Sequence, residues 1–184
     1  MPRTLIPLCL LALTGCFGGA SPAPRSFRPE LAAVEPAAAE GPALRYRAVS
    51  ASPHLDQRMA WRLSPVEYWF ADLWVWSEPP QSYADRALAQ RLFEGRGLRR
   101  GSGAGLPALE AELREFCYDR EAAQARVALH VLFTQPEGTQ LERTLEATAP
   151  VGEPEPEAIA RALGVALSAV CDEAAGLVGE ALGK

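Results

Sequence analysis

Few residues in this 184-residue chain could do covalent or metal chemistry: there are two histidines and four cysteines. His54 and Asp56 lie close together in a turn-rich stretch, with no nucleophile at a spacing that would complete a relay. His130 falls on the polar parity of a strand-like run. Both histidines read as surface or hydrogen-bonded side chains. Cys117 and Cys171 lack the paired spacing of a zinc site. No G-x-S-x-G, H-E-x-x-H or phosphate-loop motif occurs, and the glycine-rich segment 101–105 lacks the Lys-Ser/Thr that such a loop needs. No catalytic residue, metal ligand or cofactor is therefore expected. What remains is the chemistry of thiols.

Cys16 stands in the most specific setting. Arg3 gives a positive start, Leu5 to Leu13 is apolar, and Gly15 directly precedes the cysteine. Spanning a bilayer takes about 20 apolar residues, so this run is too short and reads as a secretory signal over residues 1–15. The ending Leu13-Thr14-Gly15-Cys16 resembles the lipobox of bacterial lipoproteins. The resemblance implies cleavage before Cys16, a diacylglycerol on its thiol and usually a further acyl chain on its amine. Each buried CH2 adds about 0.8 kcal/mol, so two or three chains hold firmly. Phe17 follows, where an aspartate would resemble an inner-membrane retention signal. Outer-membrane anchorage facing the periplasm is expected.

Cys9 leaves with the signal, so Cys117 and Cys171 remain as an even pair in an oxidising compartment. That suggests a disulfide between them, against the alternative of two separately buried thiols. The chain has 18 basic and 23 acidic residues. Removing residues 1–15 takes one arginine and no acid, leaving a net charge of −6. Nucleic acid is thereby disfavoured as a partner, because phosphate binding needs a basic face.

The elements that must carry these groups can be read from periodicity. Residues 16–42 hold the lipidated cysteine and then an Ala/Pro-rich segment with Pro22, Pro24, Pro29, Pro36 and Pro42. With few large apolar residues it is expected to be an extended tether. One periplasmic domain over residues 43–184 should follow. Leu44–Val49, Leu55–Leu63, Val66–Trp76, Leu109–Tyr118, Ala125–Thr134 and Gln140–Ala149 show strand alternation, although the charges of Leu109–Tyr118 would suit a helix as readily. Val66–Trp76 is apolar on both parities, which suggests a strand covered on both sides. A helix is expected over Tyr83–Glu94, with Ser82 as N-cap and Asp85 as a weak capping box, ended by Gly95 and Gly97. A last helix opens at Pro154-Glu155-Pro156-Glu157, and its apolar stripe includes Cys171. The order reads βββα-βββα. It predicts an α+β fold, a mainly antiparallel sheet with two helices packed on one face.

Trp61, Tyr68, Trp69, Phe70, Trp74 and Trp76 fall within sixteen residues. Most should be core; any left exposed would mark a protein or lipid contact. Pro79 and Pro80 cannot continue sheet pairing, so the chain must leave the sheet there. That places Trp76, Glu78 and Pro79 at one sheet end, near the surface. Arg96, Arg99 and Arg100 form a basic cluster beside the glycine-rich loop. These two patches are the candidate partner-binding residues, the arginines toward anionic head groups or an acidic partner.

The stretches Leu55-Asp56-Gln57-Arg58-Met59-Ala60-Trp61-Arg62, Val66-Glu67-Tyr68-Trp69-Phe70 and Trp74-Val75-Trp76-Ser77-Glu78-Pro79-Pro80, with a helix ending in Leu92-Phe93, resemble the ABC-type transport auxiliary lipoprotein family. The resemblance implies a non-enzymatic partner of Mce-type lipid transporters, tethered to the outer membrane by its acyl chains. Mce-type and ABC transporter components would be its partners, with phospholipid and further copies of the chain as additional ones. Two alternatives stand beside it: a stand-alone periplasmic lipid- or peptide-binding lipoprotein, and a structural adaptor of another envelope machine.

Overall fold

The structure, a computed structural model, describes residues 22–183. Its centre is the stretch whose element type the sequence left ambiguous. Ala108–Asp119 forms a twelve-residue strand, β7, and not a helix. Its alternation decides this: Leu109, Leu113, Phe116 and Tyr118 are buried on one face, with a bulge at Arg114 that restores the phase. Antiparallel to it lies β8 (Gln124–Gln135), and β9 (Gly138–Pro150) continues the meander.

On its other side β7 meets a strand in three pieces. These are β2 (Ala43–Tyr46), β3 (Ser50–Ala51) and β4 (Arg58–Ser64), and all run parallel to β7. The Glu67–Trp76 strand, β5, returns antiparallel to β4. A short strand β1 (Arg25–Phe27) adds to β5 in parallel, and β6 (Arg99–Arg100) pairs in parallel with β2. The sheet is therefore mixed, and the expected antiparallel character and βββα-βββα order are corrected. Alternation shows that a segment is a strand; it does not show which strand it pairs with.

Both helices pack on one face, as expected. Helix α1 (Pro80–Ala89) runs straight into a π-helical turn, Gln90–Gly95. It starts earlier than Ser82: Pro79 is the N-cap residue, with no side-chain cap, and Pro80 takes the first helical position, where a missing N–H costs nothing. Helix α2 (Pro156–Ala181) covers β7, β8 and β9 with Ile159, Leu163, Leu167, Val170, Cys171, Ala174 and Val178, all buried. It is long and apolar enough to cross a membrane, but its apolar face is spent on the sheet.

Residues 25–42, expected as a free spacer, lie on the domain. The Ser77 amide donates to the Phe27 carbonyl at 2.8 Å, the Ala32 amide to Ser168 Oγ at 3.0 Å and the Ala37 amide to the Glu94 carbonyl at 2.7 Å. Phe27 and Leu31 pack against the core. Two glycines make room for this strap. A Cβ on Gly164 would stand 2.1 Å from the Glu30 carbonyl oxygen, and one on Gly97 2.0 Å from that of Ala38. Gly97 also has φ +62, a conformation that glycine alone adopts freely. The folded unit thus begins at Arg25 rather than at residue 43.

Candidate functional site

The two expected patches lie at opposite ends of α1. About 17 helical residues separate Pro79 from Arg96, roughly 25 Å at 1.5 Å per residue. At the first end, Trp76 is 2% exposed. Its ring packs edge-on to Phe116 at 5.1 Å and to Tyr83 at 6.3 Å. The surface position expected for Trp76 is corrected: it faces α1 and is core. Glu78 pairs with Arg86 at 2.6 Å, and Pro79 is exposed.

At the other end, the arginines are exposed but held. Arg99 Nε donates to the Gly41 carbonyl at 2.9 Å. The Arg100 guanidinium lies over the Phe93 ring at 4.1 Å and the Tyr46 ring at 5.4 Å. Arg96 lies along α2, where its guanidinium would meet a Cβ on Gly179 at 3.1 Å.

Between these ends runs a groove of about 750 Å³ lined by Val49, Gln81, Asp85, Ala89, Phe93 and Arg100. Its floor is built from the break between β2 and β3. The Tyr46 hydroxyl donates to Asp85 Oδ1 at 2.8 Å, and the Val49 amide donates to the same oxygen at 3.1 Å. One carboxylate thus fixes both sides of the break against α1. Burial, reinforced by the Asp85 carboxylate, pushes the Tyr46 hydroxyl well above its ordinary range, so it stays a neutral donor. Gln81 Oε1 is buried without a hydrogen-bond partner among the described residues. The groove joins the Arg100 cation, stacked on Phe93, with the carboxylate of Asp85. Among the described residues no group of three or more metal-capable side chains occurs.

The cysteines do not meet. Both are free and buried. Phe116 and Tyr118 face the helices, so Cys117 between them faces the opposite side of the sheet, where its register partners are Arg126 and Ala60. Cys171 sits on the core stripe of α2. The bridge expected from cysteine count is corrected: parity puts the sheet between the two thiols. Burial, followed by Glu115 and Asp119, pushes the Cys117 thiol up to about 12, and burial does the same to Cys171.

A second surface lies on the β4–β5 hairpin. Trp61, Trp69, Trp74 and Tyr118 form an aromatic cluster with ring separations of 4.9–6.5 Å, edge-to-face except for the tilted Trp61–Trp74 pair. Helices α1 and α2 do not close over it, and Trp69 remains 45% exposed. The two-sided cover expected for this strand is absent at its first half. Cys16 lies outside the described residues.

The model of the ABC-type transport auxiliary lipoprotein component matches residues 27–175. The chain belongs to that family. The matched span begins inside the strap and ends within α2. A protein XCC0632 from Xanthomonas campestris is similar in structure, with a TM-score of 0.71 at 19% identity over 86% of this chain and 95% of that one. An uncharacterised protein gives 0.70 at 12% identity, covering 85% and 99%. A hypothetical protein CT253 from Chlamydia trachomatis gives 0.54 at 8% identity, covering 78% and 99%. These likenesses are of fold. No curated protein matches the chain.

Proposed function

We propose that this chain is a non-enzymatic accessory subunit of an Mce-type ABC lipid transport system. It is anchored through Cys16 in the outer membrane and docks on its transport partners in the periplasm. The family match over residues 27–175 carries this reading. The packing supports it: the space between helices and sheet is filled by Leu44, Leu88, Leu109, Leu113, Phe116 and Leu129, each at most 1% exposed. An interior so filled favours a protein that docks over one that encloses an acyl chain. The groove along α1, with Arg100 and Phe93 at its end, is the docking surface in this reading.

The experiment is purification of the full chain from detergent-solubilised membranes. Recovery of an Mce-domain protein with its permease and ATPase is expected. Arg99→Glu with Arg100→Glu should reduce it further than Arg99→Gln with Arg100→Gln, which loses the same contacts to Gly41 and Phe93 without reversing the charge. Recovery of phospholipid with no such partner would favour the stand-alone lipid-binding alternative.

A further inference from the structure

Four large apolar side chains stand exposed among the described residues: Val66 at 93%, Trp69 at 45%, Leu73 at 38% and Val165 at 60%. Three of them belong to one hairpin, β4–β5. Beneath Trp69 lie Trp61 and Trp74, and the Trp61 indole nitrogen is buried without a hydrogen-bond partner among those residues. Lone exposed apolar residues need no explanation, but Val66 and Trp69, three residues apart at the tip of one hairpin and backed by an aromatic cluster, mark a contact.

The path of the chain says what covers them. β1 runs parallel to β5, with Arg25 opposite Trp74. Residues 22–24 therefore lead toward the start of β5, where the β4–β5 turn and Val66 lie. Nine residues separate Cys16 from Arg25, which limits the anchor to about 30 Å from Arg25. Along β5, the turn lies about 26 Å from that point, just inside the reach of a fully extended tether. An acylated Cys16 thus holds the bilayer on the side of the hairpin and within reach of its tip. We infer that the β4–β5 hairpin, through Val66 and Trp69, rests in the interface of the bilayer that holds the acyl chains, as a second membrane contact. The inference rests on the lipid-anchor reading above.

The chemistry fits an interface rather than an electrostatic attachment. Tryptophan settles at the head-group level, with its ring in the apolar zone and its N–H toward water. The nearby charges offer no basic patch: Arg58 pairs with Asp56 at 2.8 Å and Arg62 with Asp119 at 2.7 Å, while the exposed acids Glu67 and Asp72 leave the hairpin net negative. Contact should therefore survive high salt, unlike binding through a basic patch. It also orients the domain. β7 spans roughly 40 Å, and β4 pairs at its far end while β2 and β6 lie near its start. With the hairpin on the bilayer, Arg99 and Arg100 face away from it.

The test uses the full lipidated chain in vesicles of phosphatidylethanolamine and phosphatidylglycerol with brominated acyl chains. Flotation reads attachment, and quenching of tryptophan fluorescence reads contact. Flotation with quenching that persists in high salt is the expected result. Trp69→Phe should then remove most of the quenching, and Val66→Asp should weaken it, both at unchanged thermal stability. Flotation without quenching would overturn the second contact and leave the anchor standing. No flotation with Cys16 intact would remove the anchor, and the proposal with it. A photo-crosslinker at position 69 that captures a protein and no lipid in intact cells would also overturn it, in favour of a protein partner.

Discussion

Gly164 turns a bare Cα toward the Glu30 carbonyl, so that a methyl group at this position would stand 2.1 Å from the oxygen. The neighbour is backbone and cannot yield by rotating a side chain. This contact lets the strap lie flat on α2 and brings the Ala32 amide to Ser168 Oγ.

Gly164→Ala should therefore destabilise the domain. In an open helix the change would help by about 1 kcal/mol, but overpacking against fixed backbone costs about 1–3 kcal/mol and wins here. Limited proteolysis should begin cutting within residues 28–42. A raised melting temperature with the strap still protected would show that Glu30 moves aside freely.

The cysteines should behave as two sealed thiols. At pH 8, a group pushed up to about 12 is thiolate in roughly one molecule in ten thousand. Alkylation of the native protein should be very slow at both Cys117 and Cys171, and rapid at both after unfolding in urea. Stability should be the same with and without reductant. A mass showing the oxidised pair after non-reducing purification would contradict the parity of β7.

Arg62 and Asp119 should set the acid limit of stability. Burial works to raise the Asp119 carboxyl, but the Ala122 amide and the Arg62 guanidinium outweigh it and hold it below the usual range. An unfolded aspartate titrates near 3.9. The native group is lower, so its contribution is whole above about pH 4 and fades as the pH falls through the native value. Asp119→Asn should lower stability at pH 7 and flatten the loss below pH 4 in urea titrations. Arg62→Ala, which leaves a buried carboxylate without its cation, should cost about 3 kcal/mol at neutral pH. Equal acid slopes for wild type and Asp119→Asn would assign the acid limit to another group.

Much of the fold was legible because single-element patterns are strong here. The alternation of Val127, Leu129, Val131 and Phe133 gave β8, and the stripe from Ile159 to Val178 gave α2. Three things were not legible, each for a physical reason. Pairing depends on register between distant segments, so the parallel run of β2, β3 and β4 beside β7 left no local mark. The strap hides because alanine and proline supply few anchors; Phe27 and Leu31 were the only large apolar hints near its start. The aromatic run looked uniform by residue type, yet Trp76 is sealed by Tyr83 while Trp69 stays open. That difference is set by where α1 and α2 lie, which the run itself does not encode. For the proposed docking groove, the sequence singles out Arg99 and Arg100, but not Asp85 and Tyr46, which shape it. Asp85 was read as a capping residue, and its true partners come from a strand some forty residues earlier.

The three-piece strand beside β7 has a consequence for how the molecule comes into being. On the flank that faces β7, β2, β3 and β4 find their partners only at residues 108–119. A chain emerging from its N-terminus must hold β2 to β5, with their tryptophans, unpaired on this flank for some sixty residues. The last piece of the central strand then closes both halves of the sheet at once. Contacts so distant in sequence form slowly, and an open aromatic strand is a template for other chains. The interval before β7 appears is when this protein is most in need of a chaperone.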